Sequence, residues 1–112
     1  MTAGNGGGQL ERSRRVDFHA INRAALSNAH AVLRGLVPDG RLEGDEYTAR
    51  NPMRPDKRPG SFKINIRTGR WGDFALGRFG GDLVSLAAYL SSLPQREAAI
   101  RLAESMGISP WE

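Results

Sequence analysis

Ser61-Phe62-Lys63-Ile64-Asn65-Ile66-Arg67 is the stretch that decides the fold. Phe62, Ile64 and Ile66 fall on one side of an extended chain, and Ser61, Lys63, Asn65 and Arg67 fall on the other. That period of two is the pattern of a half-buried strand. Thr68-Gly69 then reads as a two-residue turn, returning the chain along Arg70–Ala75 to make an antiparallel hairpin over 61–75. Such a hairpin has an apolar face and a cationic face, and alone it is at best marginally stable in water. The flanking sequence must therefore cover the apolar face.

Helices are expected on both sides. Upstream, Asp17 reads as an N-cap, and Phe18, Ile21, Ala25, Ala29, Val32 and Leu33 recur at spacings of three and four, predicting a helix over 17–35. Gly35 suits a left-handed C′ position with Leu36 folding back. Pro38-Asp39-Gly40 is a turn signal, followed by a modest strand over 41–48 that Gly44 interrupts. Three prolines make 50–60 a loop. Downstream, Gly77, Gly80 and Gly81 punctuate the exit from the hairpin. Asp82 then caps a helix over 82–93 with a stripe of Leu83, Leu86, Ala87 and Leu90. Pro94 breaks it and opens another over 94–106, with Ala98, Ala99, Leu102, Ala103 and Met106 buried and Gly107 as the stop. The fold class is α+β: a small antiparallel sheet packed against an N-terminal helix and two C-terminal helices. Residues 1–15, Gly-rich and polar, are expected to be a disordered tail, and 16–112 a single domain.

Charge is localised. The 112 residues carry 16 Lys+Arg against 12 Asp+Glu, for a net charge of +4. Residues 49–80 hold eight of those bases and only Asp56 and Asp73 as acids. A basic middle in a slightly acidic frame points to a polyanion surface, with a solvated charged face as the competing explanation. The chain has no cysteine, which excludes disulfides and thiolate metal sites. No apolar run approaches the ~20 residues needed to span a bilayer. No signal peptide opens the chain, so a cytoplasmic protein without membrane contact is expected.

Catalysis finds little support. His19 and His30, three helical turns apart at about 16 Å, cannot share one metal ion and read as surface residues. Glu43, Asp45 and Glu46 would hold a cation only if their loop turned inward; acids on an edge strand are more commonly solvated. The glycines before Asp82 match neither a phosphate loop nor a dinucleotide fingerprint, and Asp82 itself caps the amides an anion would seek. The hairpin is the better candidate. Lys63 and Arg67 project from one face, Lys57 and Arg58 precede it, and Arg70 and Arg78 follow. Trp71 has two readings. If Phe74 enters the core, Trp71 faces outward among cations as a platform for an unpaired base; otherwise Trp71 is itself core.

Residues 51–86, NPMRPDKRPGSFKINIRTGRWGDFALGRFGGDLVSL, resemble the zinc-binding, zinc-ribbon domain at the N-terminus of bacterial and phage DNA primases. Pro52, Lys57, Pro59, Ser61, Phe62, Phe74, Gly77, Gly80, Leu83 and Leu86 fall on matching positions once one residue is inserted near Gly60. The four zinc-ligand positions carry Asn51, Arg54, Asp73 and Leu76. Arginine has no free lone pair at accessible pH and leucine has no donor, whereas structural zinc takes four N or S ligands. The resemblance thus implies a zinc-ribbon-like domain without metal or other cofactor. An Arg54–Asp73 ion pair is expected across the former site, with apolar packing replacing the rest of the metal's contribution.

By the same resemblance, the chain is a non-catalytic, single-stranded DNA-binding module acting in primer initiation during DNA replication. It would be a fragment of a larger replication protein, or a stand-alone product of a plasmid, phage or other mobile element. The contacts carried over or read from the hairpin are Lys57, Arg58, Lys63, Arg67, Arg70, Trp71 and Arg78. A primase catalytic domain or a replicative helicase is the protein partner implied. The alternative is a protein-interaction module without nucleic-acid contact. In that reading the helix over 82–93, with Val84 and Tyr89 off its main stripe, docks a helicase or polymerase.

Overall fold

A computed structural model describes residues 14–54 and 61–112. The chain is α+β. Two helices, α1 (Phe18–Ser27) and α2 (Ala29–Leu36), precede five strands: β1 (Arg41–Glu43), β2 (Glu46–Ala49), β3 (Phe62–Asn65), β4 (Trp71–Asp73) and β5 (Arg78–Gly80). Helices α3 (Leu83–Ser91) and α4 (Gln95–Met106) close the chain. The strands form one antiparallel meander in sequence order. Helices cover one face and leave the other to solvent.

The N-terminal helix is two, not one. Asp17 caps α1 by accepting from the Ala20 amide at 3.0 Å, as its position predicts. At Asn28 the backbone leaves helical geometry (φ −124°, ψ 36°). The Asn28 side chain bonds the Ala24 carbonyl at 3.3 Å, the local competition that disfavours asparagine inside helices. Gly35 sits within α2, not at a left-handed cap; the helix ends at Leu36, with Val37 as its C-cap. α3 begins with a capping box: Asp82 Oδ1 accepts from Ser85 N at 2.8 Å while Ser85 Oγ receives the Asp82 amide at 3.4 Å. Ser92 and Gly107 end α3 and α4 in the left-handed region, and Pro94 stands at the N-cap of α4.

Three parts of the sheet differ from expectation. The acidic 41–48 stretch is a hairpin of two strands, with Gly44 in the left-handed turn at φ +60°. The β3–β4 connection is a four-residue loop, Ile66–Gly69, closed by Asn65 N to Arg70 O and Gly69 N to Asn65 O, both 2.8 Å. Asn65 starts that turn early, its Oδ1 accepting from Arg67 N at 2.8 Å and Thr68 N at 3.0 Å. A further hairpin follows, Phe74–Gly77 joining β4 to β5.

The core lies between sheet and helices. Leu42, Tyr47, Ile64, Trp71 and Gly80 form one cross-strand row on the covered face. They meet Ile21, Ala25, Leu33, Leu83, Leu86, Ala99 and Leu102, all buried. The Trp71 indole stacks on Tyr89 (5.0 Å, 27°) and donates from Nε1 to Ser85 Oγ at 2.9 Å. Only glycine fits beside it, since a Cβ at Gly80 would lie 2.3 Å from Trp71 Nε1. The C-terminus packs back: Trp111 bridges Val16, and Glu112 N donates to Arg15 O at 2.9 Å. Arg14 and Arg15, assigned to the tail by composition, therefore belong to the folded part, and residues 1–13 of that tail lie outside the described residues.

Candidate functional site

The uncovered sheet face carries the candidate site. Register places Arg41, Thr48, Lys63, Gly72 and Phe79 in one row across all five strands of that face. Glu43, Glu46 and Asn65 form the neighbouring row, with Arg70 at its end. Lys63, Asn65, Arg70, Phe74, Phe79 and Glu46 line an open groove of about 530 Å³. Phe74 and Phe79 are 67% and 61% exposed and meet edge to face, ring centroids 5.5 Å apart. Two phenylalanines standing in water at that exposure are unusual outside a binding surface.

Trp71 is core, not platform. Register sets it opposite Ile64, so it shares the covered face and is only 7% exposed. Strand alternation then turns Phe74 outward, the reverse of the arrangement that would have exposed the tryptophan. The exposed aromatic rings on this face are those of Phe74 and Phe79. The signal for them was the Phe74-Ala75-Leu76-Gly77 turn between two short runs, which makes a second hairpin and gives Phe79 the parity of Gly72.

Of the expected cations, Lys63 and Arg70 line the groove. Lys63 Nζ lies 3.7 Å from Glu46 Oε1. Arg67 is in the β3–β4 loop, not on the strand face, with Nη1 3.3 Å from Asp45 Oδ2. Both acids come from the stretch that also raised the question of a metal site; instead they neutralise cations. Arg78 is opposite Asp73, on the covered side at the sheet edge, its guanidinium 5.5 Å from the Tyr89 ring centroid. Lys57 and Arg58 lie outside the described residues. Of the two α3 residues read as a docking surface, Val84 is fully buried and Tyr89, half-buried, is packed on Trp71.

Beneath the β4–β5 turn sits a buried polar cluster. Asn51, Arg54 and Asp73, three of the four residues that the resemblance set at zinc-ligand positions, are buried and come together. Asn51 Nδ2 donates to Asp73 Oδ2 at 2.8 Å and lies 2.9 Å from the Tyr89 hydroxyl. Arg54 Nη1 is 3.7 Å from Asp73 Oδ1 and donates to Ser61 Oγ at 2.5 Å. Asp73 Oδ1 also accepts from the amides of Ala75 (3.0 Å) and Leu76 (3.3 Å), which fixes the turn carrying Phe74. Burial pushes the Asp73 carboxyl up, but the bonds from Asn51, Leu76 and Ala75 and the Arg54 charge outweigh it and hold it below its ordinary value. Leu76 joins the cluster through its amide alone; its side chain is exposed.

These residues do not fit zinc. A guanidinium occupies one position and the leucine side chain points to solvent, leaving one carboxylate and one amide. Among the described residues, no group of three or more His, Cys, Asp or Glu is placed to hold a metal ion, and no helix is long and apolar enough to cross a membrane. No protein-family model matches the chain, and comparison with curated proteins finds no match.

Proposed function

We propose that this chain is a metal-free, zinc-ribbon-like module of the primase type that binds single-stranded DNA on its open sheet face and has no catalysis of its own. The observation that carries this reading is the exposed Phe74–Phe79 pair in a groove flanked by Lys63 and Arg70. Unpaired bases stack on aromatic rings while cations take the phosphates, a combination tolerant of sequence. The meeting of Asn51, Arg54 and Asp73 in one buried cluster supports the primase likeness, because residues at former ligand positions of a zinc ribbon would converge in this way. The role follows as template binding in primer initiation for a plasmid, phage or other mobile element, beside a primase catalytic domain or replicative helicase.

The test is a titration with fluorescent single-stranded oligonucleotides at two salt concentrations. Submillimolar affinity at low salt is expected, falling with a log–log slope of about −0.7 for each phosphate contacted. Phe79→Ala should weaken binding by about 1–3 kcal/mol, the usual cost of one lost stacking contact. Affinity no tighter than millimolar at low salt overturns the reading.

The same exposed rings, with Leu76 beside them in the turn, favour a second reading as a docking face for a helicase or polymerase. Charge reversal at Lys63 and Arg70 separates the two, since only DNA binding requires those cations.

A further inference from the structure

Resting on the single-stranded DNA reading above, we propose that the groove selects cytosine over thymine. The Asn65 amide cannot turn freely: its Oδ1 already holds the Arg67 and Thr68 amides. That leaves Nδ2, a donor with no partner among the described residues, on a residue that lines the groove. Directly opposite on the next strand stands Glu46, whose Oε1 faces Lys63 while Oε2 has no partner among the described residues. Arg70, at the end of the same row, adds further donors. One face of the groove thus presents an acceptor followed by donors.

That order is the complement of one pyrimidine edge. Cytosine offers the N4 amino group, then N3 and O2 as acceptors; Glu46 takes the amino proton, and Asn65 Nδ2 and Arg70 meet the acceptors. Thymine offers O4 to a carboxylate and N3–H to an amide donor, so both meetings are repulsive or empty. The Phe79 ring reaches back over Gly72 on β4, one strand and one row from Asn65, and lines the same groove, so a base lying on it can turn its edge toward Asn65. Stacking alone would not produce this discrimination, because every base offers a π-face.

The experiment compares oligo-dC with oligo-dT of equal length by fluorescence anisotropy, using the full chain. Wild type should bind oligo-dC at least about fivefold more tightly. Asn65→Asp keeps the Oδ1 acceptor that the turn needs but converts the free donor into an acceptor. It should bring the dC:dT ratio near one with an unchanged melting curve. Glu46→Gln, at an exposed position, gives thymine O4 a donor and should raise oligo-dT affinity relative to oligo-dC. Equal binding of both homopolymers by wild type overturns the selectivity and leaves the DNA reading standing. Binding of neither overturns the DNA reading itself. A uniform loss on both homopolymers in Asn65→Asp, or an unchanged ratio in Glu46→Gln, also defeats the assignment.

Discussion

The Phe79 ring lies across Gly72: a Cβ built on the glycine would fall 2.4 Å from Phe79 Cδ1. The absence of a side chain at Gly72 is therefore what lets the ring rest flat on the open sheet face. Gly72→Ala should push the ring away. Because Phe79 is mostly exposed, the displacement costs the fold little, while the stacking surface is lost. Oligonucleotide affinity should fall about 5- to 100-fold, as for a lost stacking contact, with a melting temperature close to wild type. Wild-type affinity in this variant would show that Phe79 takes no part in binding.

Asp73 couples stability to pH. Its carboxyl is held below the ordinary value near 3.9 by bonds and charge that only the folded state provides. A depressed carboxyl contributes stability that is present above the unfolded value and disappears as pH falls through the lower, folded one. Denaturant titrations of wild type at pH 7 and below pH 3 should therefore differ more than those of Asp73→Asn. Asp73→Ala should be worse at neutral pH, by about 3–5 kcal/mol, because the buried Arg54 guanidinium loses this carboxylate. An unchanged melting temperature in Asp73→Ala would remove any structural role for the pair.

Period and punctuation made much of this fold legible. The alternation of Phe62, Lys63, Ile64 and Asn65, the cap at Asp82 and the stop at Gly107 all lie where local chemistry puts them. What escaped was set by pairing between strands. Arg78-Phe79-Gly80 has no hydrophobic alternation of its own and becomes a strand only because β4 offers a partner edge. The side taken by Trp71 depended on its register against Ile64, and a lone tryptophan among cations is compatible with either face. The convergence of Asn51, Arg54 and Asp73 is non-local: the Arg54–Asp73 pair was expected, and Asn51 joins it through a bond to Asp73 that spacing does not encode. Phe74 and Phe79 followed from the same register, for which the turn at 74–77 was the one local signal.

Arg67 is partly cancelled by Asp45, with 3.3 Å between Nη1 and Oδ2 at an exposed site. Such a pair contributes about 0–1 kcal/mol to folding, so removing the acid barely affects stability. It does release a cation at the end of the sheet. Asp45→Asn should strengthen oligonucleotide binding and steepen the log–log salt slope by up to about 0.7, the value for one additional phosphate. A slope identical to wild type would place Arg67 outside the DNA path.

Tyr47 ties the start of the sheet to the helices. Its hydroxyl donates to the Val37 carbonyl at 2.6 Å, inside the core, and its ring leaves no room for a side chain at Gly40. Burial pushes the phenol above its usual value, and the Gly40 amide and the Arg34 charge draw it back only in part. A raised phenol supports the fold fully below the unfolded value near 10, and that support is lost as pH rises through the higher, folded one. Tyr47→Phe should cost about 1–3 kcal/mol at neutral pH, because the Val37 carbonyl loses its buried donor. The variant should also lose less stability than wild type when pH is raised from 9 to above 11. Parallel alkaline unfolding curves for the two proteins would show that this phenol stays protonated in the unfolding range and that another group governs the alkaline limit.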